Sequence, residues 1–227
     1  MSRAGKSLVE FISAILVFIG IMYLVRFTNL DLKISDAAFN LTAFNSSKML
    51  TVAAWIGKYM SVIFCSVVIL ALPWLWKTDH KFKKEATFAI FLLAVGPGFM
   101  NNFIFKPYFK RPRPFQIERY NDQNNYKYTP PLVQGTNRKH TSFPSGHAGA
   151  AFFFIFPWFC LRYRKEYGIR LIIPGFIFGL ITGSIRIMEG NHFFSDIMAS
   201  LAVVYLTGTV LSYLLFSEDE DFSKEPS

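Results

Sequence analysis

Three short groups of residues have types and spacings suited to handling a phosphate. The first is Lys106-Pro107-Tyr108-Phe109-Lys110-Arg111-Pro112-Arg113-Pro114. The second is Ser142-Phe143-Pro144-Ser145-Gly146-His147, and the third runs from Arg186 through Glu189, Asn191 and His192 to Asp196. Arginine offers a planar fork for two phosphate oxygens, and lysine offers a mobile point charge. A Ser145-Gly146 turn at a helix start presents backbone N–H groups where the helix dipole favours an anion. Gly146 lets the backbone approach closely. In phosphoryl transfer the charge spreads over the equatorial oxygens, with nucleophile and leaving group in line, so fixed cations can do the electrostatic work without a metal. No His/Asp cluster stands at metal-ligand spacing. His192 and Asp196 are four apart, which stacks them on one face if the segment is helical. Asp196 can then hold one ring nitrogen and leave the other as a nucleophile. His147 is placed to protonate the leaving oxygen. The residues alone do not decide which histidine attacks.

Each group also has a plainer reading. The lysines and arginines suit lipid headgroups, Ser145 suits a helix N-cap, and His192 with Asp196 suits a structural hydrogen bond. Convergence of all three at neighbouring helix ends favours a site. His140 reads as a solvated loop histidine. Glu189 reads as a partner for a loop cation, or as a contact for a substrate sugar.

The elements that must position these groups are membrane helices. Of the 227 residues, 52% are hydrophobic and 17% charged, against about 25% charged in a soluble domain. That balance excludes a disordered chain and argues against a soluble globule. Spanning a bilayer takes about 20 mostly apolar residues. Six runs qualify, near 8–25, 59–76, 86–105, 147–161, 171–184 and 197–216, the fourth and fifth being short. The first is broken only by Glu10 and lacks the small-x-small site of a cleaved signal. Cys65 and Cys160 lie inside apolar runs, which gives neither a disulfide framework nor a zinc spacing. The net charge of +9 suits anionic lipid or phosphate. No nucleic-acid motif accompanies it, and no obligate protein partner is inferred.

Short basic loops stay cytoplasmic. Arg3 with Lys6, the loop 77–84, and Arg162 to Lys165 with Arg170 fall on one side, together with the acidic tail 217–227. The other side carries eight Lys or Arg between 106 and 140, a conflict explained if several bind phosphate. A stretch there, 27–58, holds an amphipathic piece from Leu30 to Asp36, expected in the interface or as a short cap. The segment 106–143 is too long for a plain connection and reads as an ordered functional loop. Trp74 and Trp76 read as interfacial anchors. The glycosylation patterns at Asn40 and Asn45 are discounted as chance matches. With no internal repeat, residues 1–227 form one domain.

These motifs resemble the type 2 phosphatidic acid phosphatase superfamily, whose pattern is Lys-x6-Arg-Pro, Pro-Ser-Gly-His and Ser-Arg-x5-His-x3-Asp. Lys106 with Arg113-Pro114, Pro144 to His147, and Arg186, His192 and Asp196 fit its spacings. Arg111-Pro112 has no lysine in register. The residue before Arg186 is Ile185, so the serine of that pattern is displaced by one place, to Ser184. The resemblance implies an all-α, six-span integral membrane bundle with its active site at the outer, periplasmic ends of the third to sixth helices. It implies His192 as the nucleophile that forms a phosphohistidine, Asp196 as its orienting partner and His147 as general acid. Lys106, Arg113, Ser145, Gly146 and Arg186 would bind the phosphate, with no metal or other cofactor.

The third motif and the Asn29 to Ser35 segment look like bacterial lipid A phosphatases. That likeness implies removal of the 1- or 4′-phosphate of lipid A at the periplasmic face of the inner membrane. Phosphatidylglycerophosphate and undecaprenyl diphosphate are competing substrates. Lys110, Arg111, Arg119, Lys127, Arg138 and Lys139 are expected to steer any such anionic lipid. Rival readings are phosphotransfer to an acceptor lipid, a non-catalytic lipid-phosphate binder or transporter, and a soluble phosphate-binding module.

Overall fold

The computed structural model describes residues 3–44, 47–78, 82–123, 125–137, 141–161 and 168–216. Asn45, the middle of the 77–84 loop, Arg138, Lys139, His140, Arg162 to Lys165 and the acidic tail lie outside the described residues.

Helix α1 (Arg3–Thr28) stops at Asn29, whose φ of 52° is left-handed. Helix α2 (Leu30–Thr42) follows at once. It packs onto the protein: Asp31 and Ser35 are fully buried, and the Thr42 hydroxyl donates to Met188 O at 2.8 Å. The amphipathic piece is a cap over the bundle, one of the two expected outcomes. Helix α3 (Lys48–Lys77) begins eleven residues before the expected start at 59. Ser47 caps it by accepting from Leu50 N, and Lys58, the last residue of the expected outer stretch 27–58, sits inside it.

Helix α4 (Lys83–Leu93) continues through a π-helical segment, Ala94–Phe105, into α5 (Lys106–Phe109). Pro97 lies in the π-helical stretch. Proline lacks an N–H and clashes with the carbonyl four residues back, so the wider π turn relieves what an α turn would not. Asn102 Nδ2 donates to Pro97 O and Gly98 O. Helix α6 (Gly146–Phe152) runs through a 3-10 turn into α7 (Phe156–Leu161), followed by α8 (Ile172–Met188) and α9 (Phe194–Phe216).

Among the described residues, four helices are long and apolar enough to cross a membrane: Gly5–Thr28, Lys48–Lys77, Lys83–Gln116 and Phe194–Phe216. Gly146–Leu161 and Ile172–Met188 are shorter apolar helices. Seventeen residues of α8 rise only about 26 Å, less than the ~30 Å hydrocarbon thickness. Both short pieces pack against neighbouring helices, with Ile173, Ile177 and Ile181 of α8 turned outward. Ala148 to Phe153 are buried in unbroken sequence, and small residues let the backbones close up. Gly175, Gly179 and Gly183 form a stripe on α8. A Cβ there would come within 2.3 Å of Ile155 N, 2.0 Å of the Phe152 ring and 2.5 Å of Ile197. Phe88, Leu92, Phe152, Phe153 and Phe159 fill the core. Leu16, Leu24, Ile63, Leu70, Phe103, Ile177 and Leu214 project outward, as lipid-facing side chains must.

Candidate active site

The three sequence groups meet at one end of the bundle, where α1, α5 and α8 finish and α3, α6 and α9 begin. Ser145 is the N-cap of α6, accepting from Ala148 N at 3.3 Å. Its own N–H donates to Asp196 O, and Ser200 Oγ donates to Ser145 O at 2.7 Å. The Pro144-Ser145-Gly146-His147 turn is thus fastened to the first turn of α9. A Cβ on Gly146 would lie 3.4 Å from Lys106 Nζ, so the ammonium stands beside the turn. Lys106 Nζ also donates to Asn102 Oδ1 at 2.9 Å, one turn back along the widened helix. Lys106, His192, Arg186 and Lys58 lie close enough to act electrostatically on His147.

Arg113 donates from Nη1 to Asn191 Oδ1 at 2.8 Å, and Arg186 donates from Nη1 to Glu189 Oε2. The Nε–H of each is buried with no hydrogen-bond partner among the described residues. Buried polar groups are normally paired, so two guanidinium donors with spare capacity beside the histidines fit an anion.

His192 is only 2% exposed. It lies just ahead of α9, not within it. Asp196 Oδ2 accepts the Phe193 N–H at 2.8 Å, and that turn folds His192 back over the carboxylate. Nδ1 of His192 stands 3.5 Å from Asp196 Oδ2, outside tight hydrogen-bond range, and Nδ1 has no other partner. Such contacts are often long before substrate binds. Burial, opposed by Asp196, lowers the His192 pKa to about 4. The imidazole is therefore neutral at physiological pH, as a nitrogen nucleophile must be.

Residues 85–219 match the sequence model of the PAP2 superfamily. The chain belongs to the PAP2 superfamily. It is a PAP2-family membrane phosphatase acting on lipid phosphates. It is 28% identical to the lipid A 4′-phosphatase of Francisella tularensis subsp. novicida (strain U112) over 211 residues, covering 89% of this chain and 94% of that one. Its fold resembles the crystal structure of the transmembrane PAP2 type phosphatidylglycerolphosphate phosphatase of Bacillus subtilis. The TM-score is 0.58 at 17% identity, covering 95% of this chain and 98% of that one.

Around the motif residues this PAP2 phosphatase has a buried ionic junction that sequence reasoning missed. Arg111 Nη1 donates to Asp196 Oδ1 at 2.6 Å and to Ser195 Oγ at 2.7 Å. Nη2 donates to Asp31 Oδ2 at 2.7 Å, and Nε donates to Thr129 O at 2.8 Å. Ser195 N donates to Asp31 Oδ1 at 2.8 Å, and the Tyr128 hydroxyl to Asp31 Oδ2 at 3.2 Å. The guanidinium sits 4.3 Å from the Phe193 ring centroid and 5.5 Å from that of Tyr128. Arg111, Asp31 and Asp196 are all fully buried.

The expectation that Arg111 steers substrate is therefore corrected, because a side chain with no exposure meets no solvent field. It is the counter-ion of Asp196. Arg119 is exposed but tied to Asp36 at 2.7 Å, which leaves less free charge for steering than expected. Ser184 faces outward, away from the buried Arg186. Among the described residues Glu189 pairs with the motif cation Arg186. Lys58, nearly three turns inside α3, is a further cation near the site that its sequence context did not reveal.

Proposed function

We propose that this phosphatase removes a phosphomonoester from lipid A through a phosphohistidine at His192. In this reading Nε2 of His192 attacks phosphorus while the bond to the lipid oxygen breaks. His147 supplies the proton that the leaving oxygen needs. Asp196 compensates the charge that develops on the imidazole, and Lys106, Arg113, Arg186 and the backbone of Ser145 and Gly146 hold the equatorial oxygens. Water then attacks the phosphohistidine, with His147 taking the proton back, and phosphate leaves. The observation that carries the chemistry is the buried His192 beside Asp196, flanked by two arginines whose Nε–H groups have no partner among the described residues. The likeness to a lipid A 4′-phosphatase along nearly the whole chain supports the substrate.

The same reading makes residues 1–227 one domain with six spans, the fourth being α6 with α7 and the fifth α8. It sets the site at the periplasmic face of the inner membrane. The described basic residues Lys6, Lys77, Lys83, Lys84 and Arg170 belong to the helix ends opposite the site, which favours a cytoplasmic position for that end. A protease site placed in the 106–140 loop is expected to be cut from the periplasm in osmotically opened cells. Cutting only from the cytoplasm would overturn the orientation.

The decisive assay is phosphate release from lipid A by detergent-solubilised protein in EDTA, with His192→Ala alongside. Release by the wild type alone supports the reading. Release of phosphate only from phosphatidylglycerophosphate or undecaprenyl diphosphate would overturn the substrate and keep the chemistry. Appearance of the phosphoryl group on an acceptor lipid would make the protein a transferase.

A further inference from the structure

Beside the phosphate cations lies a cavity of about 410 Å³ whose residues the reaction does not use for chemistry. That size is at the low end for small-molecule sites. Its floor is Glu189 and Asn191, and its walls include Phe44, Phe115, Tyr120 and Asn121. Glu189 is the partner of Arg186, and Asn191 is the partner of Arg113. Through these two pairs the cavity adjoins the arginines proposed to hold the phosphate.

The walls are fixed in place. Phe44 and Tyr120 meet edge to face with ring centroids 4.8 Å apart, and both touch Phe39 on α2. Phe44 also lies on Gly190, where φ is +66° and a Cβ would come 2.5 Å from the ring. Phe115 N donates to Gly190 O at 3.0 Å. The Tyr120 hydroxyl donates to Asp36 Oδ1 at 3.0 Å. Two segments far apart in sequence, the end of α2 and the loop after Pro114, are thus clamped onto the third motif to make one concave face.

Its chemistry is mixed: aromatic rings on one side, an amide and a carboxylate on the other. We propose that this cavity is a subsite for a sugar ring, the ring that bears the phosphate. A pyranose presents C–H groups to an aromatic face and hydroxyls to amide and carboxylate groups around its edge. A diacylglycerol carries no such ring and leaves this face unused. The subsite deepens the lipid A reading and rests on it. It makes the sugar, not the acyl chain, the part of the substrate recognised beside the phosphate.

The test compares wild type with Phe115→Ala and Asn121→Ala, using lipid A and phosphatidic acid as substrates for the full-length solubilised protein. Phe115 is 41% exposed and Asn121 is exposed, so both truncations spare the core, and thermal unfolding checks each fold. The expected result is a rise of at least tenfold in KM for lipid A in each variant. The loss on phosphatidic acid should be several-fold smaller. Wild-type hydrolysis of lipid A with KM unmoved in both variants would overturn the subsite and leave the lipid A reading intact. Equal losses on the two lipids would also overturn it. Wild-type hydrolysis of phosphatidic acid but not lipid A would overturn the reading and the subsite together.

Discussion

Arg111 holds two carboxylates at once, Asp196 beside His192 and Asp31 from the α2 cap. Removing one partner of a buried ion pair costs about 3–5 kcal/mol, because the other charge is left stranded. Arg111→Ala would leave two aspartates facing each other, and is expected to fail to accumulate as folded protein. Arg111→Lys keeps the charge but loses the fork. It should retain a fold while kcat falls about 10- to 100-fold, with KM changed only a few-fold, as read from lipid phosphate release.

His192 gives a second expectation at this scale. Its pKa is lowered to about 4 in the folded protein, against about 6.5 unfolded. Between those values the unfolded chain binds more protons, so stability rises with pH across that window and is lost as pH falls through it. The acid limb of kcat/KM that belongs to His192 should likewise lie near pH 4. A limb near 6.5 would contradict the buried, neutral imidazole. The motif residues were legible in the sequence because their spacings are local. Arg111 was not: its partner Asp31 is 80 residues away, and register with Lys106 was the wrong criterion for a residue that holds a carboxylate and no phosphate.

At the scale of elements, the short helices α6 and α8 depend on close approach. Gly175 meets the backbone of Phe154 and Ile155 directly, and a Cβ there has no side chain to push aside. Overpacking costs about 1–3 kcal/mol, and an unyielding backbone puts Gly175→Val at the upper end or beyond. A drop of several degrees in detergent melting temperature is expected. Gly20, with nothing near its Cβ position, should tolerate Gly20→Ala with no such drop. The long helices were legible from apolar run length alone. The early start of α3 was hidden by Lys58, a charge that reads as a membrane boundary but faces the site. The cap formed by α2 was half legible: its amphipathic pattern was plain, but no pattern says that the polar face is the buried one. The π-helical segment is another matter of register. Pro97 announces a disturbance in the helix, yet only the folded bundle shows that the disturbance ends at Lys106.

For the whole molecule, the alternation of helix directions gathers every motif at one end of the bundle. Order along the chain and run lengths were enough to anticipate that. Free surface charge was not legible, because pairing is invisible in a list of basic residues. Of the six cations expected to steer substrate, Arg111 is buried and Arg119 is neutralised by Asp36, while Arg138 and Lys139 lie outside the described residues. Exposed pairs such as Arg119 with Asp36 add little stability. Raising salt screens solvent-exposed charges more than buried ones, so kcat/KM is expected to fall only a few-fold between low and high ionic strength. A fall of several orders of magnitude would mean that a strong exterior field guides the lipid after all.

The stretch that matches the family, residues 85–219, holds all three motifs, but Asp31 stands well before it. Through Arg111 that single carboxylate makes the α1–α2 segment a structural part of the candidate site. The motif-bearing half is accordingly not a transferable module. Cut out or grafted behind another anchor, it would carry every signature residue and still lack one of the two carboxylates that its central arginine is folded around. Any protein that dispenses with this segment and keeps Arg111 must supply that negative charge from somewhere else.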